Sequence, residues 1–103
     1  ILEPVCAVRM ALDAADLSFS KIGSFWINEA FPGSPLNFMK SGIPWEILNP
    51  CGGAIAFGHA LGATGAVLPI GAICQGRKEK IKYAVVSLCN AIDEATAMVL
   101  EIL

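Results

Sequence analysis

Apolar and polar positions along this chain alternate between two spacings, and the switches between them mark its elements. Near the start, Val5, Val8, Leu12 and Ala15 recur every three or four positions, while Arg9, Asp13 and Asp16 fall largely off that stripe. This predicts an amphipathic helix over residues 4–16. Pro4 suits its first turn, where a missing N–H costs nothing, and Glu3 suits its positive end. Leu17 to Gly23 reads as a connector. Ser24 to Asn28, aromatic and β-branched, reads as a short buried strand ending at Asn28. Ser34 followed by Pro35 predicts a cap and a short helix to Lys40, stopped by Gly42. Glu46 to Asn49 is expected as a brief strand.

Leu61 to Gln75 is the longest helical candidate and is small and apolar nearly all round, which predicts a buried central helix. Pro69 removes the bond to the Gly65 carbonyl and should kink it. Cys74 falls inside this run as a small buried hydrophobe, and Gly76 to Lys80 form the solvated end. Ile81 to Cys89 and Ala95 to Leu103 read as strands, joined by a link short enough for an antiparallel pair. Strands apolar on both faces require helices on both sides. The fold class is therefore α/β: a three-layer α/β/α arrangement around a mixed sheet whose last strand is antiparallel.

Composition narrows the reading further. At 103 residues the chain is one domain or a piece of one, and it is marginal at burying its own core. Yet 55% of its residues are hydrophobic and only 16% are charged, so part of its apolar surface is expected to meet another chain or segment. The opening Ile1 suggests a fragment. A net charge of −2 gives no basis for nucleic-acid binding, and no apolar run reaches membrane-spanning length. Cys6, Cys51, Cys74 and Cys89 lack zinc-site spacing and read as reduced thiols of an intracellular protein.

The candidate chemistry lies between the predicted strands. Gly52, Gly53, Gly58, Gly62 and Gly65 crowd a short stretch around His59, the chain's one histidine. Each glycine inside a regular element costs about 0.5–1 kcal/mol relative to alanine, so such density marks backbone that turns sharply or approaches something closely. A neutral imidazole opening a helix there can act as a base or donor near neutral pH. The plain alternative is a packing turn with an incidental histidine.

Gly52-Gly53-Ala54-Ile55-Ala56-Phe57-Gly58-His59-Ala60-Leu61-Gly62-Ala63-Thr64-Gly65-Ala66 resembles the GGAIAxGHPxGxSGA signature of thiolases, enzymes that make or cleave 3-oxoacyl-CoA thioesters. Asn28-Glu29-Ala30-Phe31 matches that family's NEAF motif, and Cys89-Asn90-Ala91 falls where it carries CxG. The resemblance covers essentially the whole chain and corresponds to the C-terminal part of a thiolase with its first strand missing. It implies an acyltransferase working by Claisen chemistry, with a coenzyme A thioester as substrate and no cofactor or metal. It also implies an N-terminal thiolase half or a second copy as partner, and a cytoplasmic location with mitochondrial or peroxisomal ones left open.

The same resemblance gives site residues. His59 helps generate the thiolate of a nucleophilic cysteine in the N-terminal half and later donates toward the thioester oxygen. Asn28 holds a water completing that oxyanion site, and Cys89 shuttles the α-proton. Phe31, Gly58 and Ala91 lie beside them against substrate. A thiol suits the shuttle because its ordinary pKa, about 8.5, lies close to working pH.

Three departures stand out. Ala60 replaces the family proline, Pro32 replaces an alanine, and Ala91 replaces a glycine whose N–H enters the second oxyanion hole. The chain alone is expected to be inactive, since the nucleophile belongs to the other half. Two alternatives accompany the enzyme reading: a non-catalytic thiolase-like subunit, and an acyl- or lipid-binding module on the same apolar fold.

Overall fold

A computed structural model describes residues 3–90, 92 and 94–103. The first helix, α1 (Glu3–Ala14), buries the stripe expected of it, with Val8 wholly enclosed and Val5 and Leu12 nearly so. It stops two residues short of the expected end because Asp16 turns left-handed (φ 54°) and the Leu17 N–H returns to the Leu12 carbonyl at 3.0 Å. That bond closes a helix end by satisfying a carbonyl that has no intrahelical partner. The next helices finish in the same way. In α2 (Gly33–Lys40), Gly42 is left-handed and Ile43 N–H reaches Phe38 O at 3.2 Å. In α4 (Thr64–Glu79), Lys80 is left-handed and Ile81 N–H reaches Gly76 O at 2.8 Å. The remaining helix, α3 (Ala54–Phe57), is a single turn.

The sheet has the order β1-β2-β3. β1 (Ser24–Ile27) runs parallel to β2 (Tyr83–Cys89), with Phe25 opposite Val85. β3 (Ala95–Glu101) folds back antiparallel, placing Val99 opposite Val85 on its other side. Alternation splits the core in two. Phe25, Ile27 and Val85 face α1 and join Val5, Val8, Leu12, Phe38 and Leu48 in one cluster. Trp26, Ala84 and Val86 face α4 and join Leu68 and Ala72 in the other. This is the expected α/β/α layering with a mixed sheet.

Five expectations need correction. Ser34 is not a cap: α2 begins at Gly33 with Pro32 in the capping position, and the Ser34 hydroxyl is buried with no hydrogen-bond partner among the described residues. Glu46 to Asn49 is not a strand. Trp45–Ile47 forms a 3-10 turn after Pro44, leaving Leu48 as a single bridge to Phe25. Cys74 is exposed, and Gly76 is buried beneath the Ile102 side chain instead of ending the helix in solvent. Finally, α4 is not enclosed on all sides. It buries the single row Thr64, Leu68, Ala72 and Gly76, while Val67 and Ile70 remain 45% and 60% exposed.

Candidate active site

The free edge of β1 is closed by the Leu48 bridge, the Asn49 N–H, which donates to Phe25 O at 2.7 Å, and the Asn49 side chain. Asn49 adopts a left-handed backbone (φ 46°), which turns the main chain away just where a strand would continue. Its side chain takes over the ladder: Ile27 N–H donates to Asn49 Oδ1 at 2.8 Å, and Asn49 Nδ2 donates to the Ile27 carbonyl at 2.9 Å. The carboxylate of Glu29 receives a further bond from Asn49 Nδ2 at 3.1 Å and one from Ile55 N–H, in the first turn of α3, at 3.0 Å. Gly53 packs so closely on this carboxylate that any β-carbon there would collide with it. The close approach signalled by the glycines is thus, at Gly53, an approach to Glu29.

Past α3 the chain needs a second glycine for a different reason. Gly58 has φ 89° and ψ 171°, a region essentially closed to residues bearing a β-carbon. It delivers His59, whose ring is exposed and whose Nδ1 lies 2.7 Å from Thr64 Oγ1 at the start of α4. Thr64 is itself buried, with its hydroxyl 3.0 Å from the Ala60 carbonyl.

Of the sequence-derived site residues, Asn28 and Cys89 fall at the carboxyl ends of adjacent parallel strands. Asn28 follows β1 directly and continues its pairing, its N–H donating to Ser87 O at 2.9 Å. Cys89 ends β2, two residues further along the neighbouring parallel strand. α4 runs antiparallel to both. Gly76, near its end, lies against Ile102, whose N–H meets the Lys82 carbonyl just before β2, while Gly71 lies against the Trp26 ring. From Gly71 back to Thr64 the helix climbs about 10 Å at 1.5 Å per residue, which brings its start level with the carboxyl ends of the strands. His59 precedes that start. Ligands of open α/β sheets bind at this end of the strands.

The grouping shares an edge, not a face. Asn28 alternates onto the α4 side with Trp26, whereas Cys89 alternates with Val85 onto the α1 side. Asn28 is 3% exposed, and its Oδ1 has no hydrogen-bond partner among the described residues. An unpartnered buried carboxamide oxygen costs about 1–3 kcal/mol. Phe31 is 62% exposed at the same end, Gly58 is exposed, and Ala91 lies outside the described residues. After Cys89 the turn is held by Asn90, whose Oδ1 accepts from Ile92 N–H and Glu94 N–H at 3.0 and 3.1 Å. Its Nδ2 donates to Glu94 Oε2 at 2.7 Å.

Sequence reasoning left Asn49 and Thr64 without roles and Glu29 as no more than a position of the NEAF match. A signal existed for Thr64, the only hydroxyl residue between Leu61 and Gln75.

A layered α/β fold with a mixed sheet whose last strand is antiparallel points to a known class, and the comparisons agree with it. Residues 1–102 match the family model for the thiolase C-terminal domain, and the chain belongs to the thiolase family. The rat peroxisomal 3-ketoacyl-CoA thiolase B is 42% identical over 102 residues, covering 97% of this chain and 24% of the rat protein. The 3-oxoadipyl-CoA/3-oxo-5,6-dehydrosuberyl-CoA thiolase of Escherichia coli K12 is 37% identical over 103 residues, 97% of this chain and 26% of that protein. Human mitochondrial 3-ketoacyl-CoA thiolase, solved in complex with CoA, superposes with a TM-score of 0.94 at 32% identity, over 99% of this chain and 26% of the human one. The chain thus spans about a quarter of the length of these relatives. Among the described residues no helix is long and apolar enough to cross a membrane.

Proposed function

We propose that this chain supplies the C-terminal acid/base and oxyanion residues of a thiolase-type acyltransferase, which forms or cleaves 3-oxoacyl-CoA thioesters. The observation that carries the reading is the match of residues 1–102 to the thiolase C-terminal domain, supported by Asn28 directly after β1, Cys89 at the end of β2 and His59 ahead of α4. In this scheme His59 takes the proton from a cysteine thiol supplied by an N-terminal half. The thiolate attacks the acyl-CoA carbonyl, and CoA leaves with the proton of the Cys89 thiol. The Cys89 thiolate then removes the α-proton of a second acyl-CoA. The resulting enolate oxygen is held by His59 and by a water bound to Asn28 Oδ1, which otherwise has no described partner. Preorganised donors at such an oxygen are worth about 2.7–4 kcal/mol each. The enolate carbon attacks the acyl-cysteine, forming the new C–C bond and releasing the enzyme thiolate. In the same scheme Phe31 and Gly58 line the acyl-CoA side of this edge.

The exposed outer face of α4 suits an N-terminal thiolase half or a second copy as partner. A second reading, a thiolase-like subunit without catalysis, draws support from the Asn90 turn, where a side chain binds N–H groups in the segment that departs from the CxG motif. One assay separates the two. The chain is combined with the N-terminal half of a relative, and cleavage of acetoacetyl-CoA by free CoA is followed. Turnover by the pair but not by the chain alone, lost in His59→Ala and Cys89→Ala, supports the enzyme. A stable pair that forms no acetyl-CoA supports the subunit.

A further inference from the structure

We propose that Thr64 is a positioning residue that fixes the tautomer of His59, leaving Nε2 as the ring atom free for proton transfer. The catalytic consequence rests on the acyltransferase reading above; the tautomer itself does not.

The argument is a proton count. Thr64 Oγ1 lies 2.7 Å from His59 Nδ1 and 3.0 Å from the Ala60 carbonyl oxygen. A hydroxyl has one proton to give and two lone pairs with which to accept. The carbonyl has no proton, so its contact with Oγ1 is a hydrogen bond only if Thr64 donates. Donation from threonine to the carbonyl four residues earlier is a common helical arrangement, and here the Thr64 N–H makes the same connection at 3.0 Å. With its proton committed, the hydroxyl can only accept from the ring. Nδ1 therefore carries the hydrogen, and the lone pair of the neutral imidazole is on Nε2.

Among the described residues, Thr64 is the one hydrogen-bond partner of this ring. The ring is exposed while Thr64 is only 7% exposed and sits at the first residue of a long helix, so the buried hydroxyl steers an otherwise loosely held side chain. Threonine's branched β-carbon restricts its rotamers and keeps the oxygen in place. The result suits the two tasks proposed for His59. Nε2 takes a proton from an incoming thiol, and the imidazolium then presents that same N–H to an oxyanion. The Nδ1–H bond to Thr64 is unchanged throughout, so no ring flip is needed.

His59 is the chain's single histidine, so selective 15N-histidine labelling gives one pair of ring signals. At a pH where the ring is neutral, the native chain should show the Nδ1–H form favoured by about fivefold or more, the bias of one hydrogen bond. Thr64→Ser should keep that bias. Thr64→Val should shift the ring toward the Nε2–H form that free histidine prefers. A native chain with Nε2–H as the major form overturns the proposal even if Thr64→Val fails to fold, as does an unchanged ratio in a folded Thr64→Val. In the combined enzyme, Thr64→Val should lower kcat at least tenfold with little change in KM, and Thr64→Ser should restore it. A raised KM with unchanged kcat would mean that Thr64 acts on substrate instead of on the ring. The expected tautomer in a pair without turnover leaves the positioning standing and removes the acyltransferase reading.

Discussion

The two sides of the sheet use similar residues but are finished to different degrees. On the α1 side, Val8, Leu12, Phe25, Ile27, Phe38 and Val85 are all essentially removed from solvent, with α2 and the Leu48 bridge closing the flanks. On the α4 side the helix rests on Trp26, Ala84 and Val86 through a row of small residues and one leucine. Its outer surface carries Val67, Ile70 and Cys74 into solvent, and Leu61 just before it is 91% exposed. An apolar pattern states that burial is required, not what provides it. One side obtains its cover within this chain, and the other presents a surface of the kind that marks an interface.

The contrast is sharpest where a large side chain is deleted from the closed side. Phe38→Ala should cost about 3–5 kcal/mol in denaturant unfolding, since neighbours locked on all sides relax only partly into the cavity. A loss below 1 kcal/mol would mean that this side is as loose as the other. Next comes the clip that joins the glycine-rich loop to β1. Glu29→Ala leaves one hydrogen of Asn49 Nδ2 and the Ile55 N–H without their acceptor, an expected loss of about 1–2 kcal/mol. Amide exchange should accelerate at Ile55 and Gly53 before it does at Val85, and uniform acceleration would show that the clip is not local.

Two glycines of α4 provide a matched pair. A β-carbon at Gly71 would lie 2.6 Å from the Trp26 ring, whereas one at Gly65 would meet nothing within 4 Å. Alanine in a helix gains about 0.8–1 kcal/mol over glycine, while overpacking a core costs about 1–3. Gly71→Ala should therefore destabilise by about 1 kcal/mol and Gly65→Ala should stabilise by nearly as much. Equal signs would contradict the assignment of inner and outer sides. The smallest effect on the chain itself is expected for Ile70→Ser, within about 0.5 kcal/mol. The same change should measurably weaken association with an N-terminal half in sedimentation, and unchanged association would free this surface of that role.

What the sequence makes legible follows from how local each cause is. The α1 stripe and the two long strands depend on spacing alone, and Val5, Val8, Leu12 and Val85 were readable from it. The end of α2 depends on a single glycine and was equally plain. Ser34 was misread because the backbone can start a helix at Gly33 without a side-chain cap. The strand expected at Glu46 to Asn49 failed for a non-local reason: Asn49 satisfies the edge of β1 with its carboxamide, which no window around residue 49 reveals. Cys74 lies on the solvent side of α4, and a helix apolar on all sides gives no phase from which to assign that side. Asn28, His59 and Cys89 were singled out through motifs, whereas Glu29 bonds to Asn49 and Ile55, partners that only the folded chain brings near.

The central position of β2 also orders the events of folding. Its pairing with β3 is a hairpin across a few residues, and α4 enters it directly, so these contacts close short loops. Its pairing with β1 must gather the whole stretch from Ile27 to Tyr83, including α2, the clip and the glycine-rich segment. Closing a longer loop costs more chain entropy and contributes to slow folding. The hairpin and α4 therefore belong to the folding nucleus, and β1 docks late. The pairing that ends at Ile27 and Asn28 is therefore expected to form last and open first, which pulse-labelled hydrogen exchange at these two residues would register as late protection.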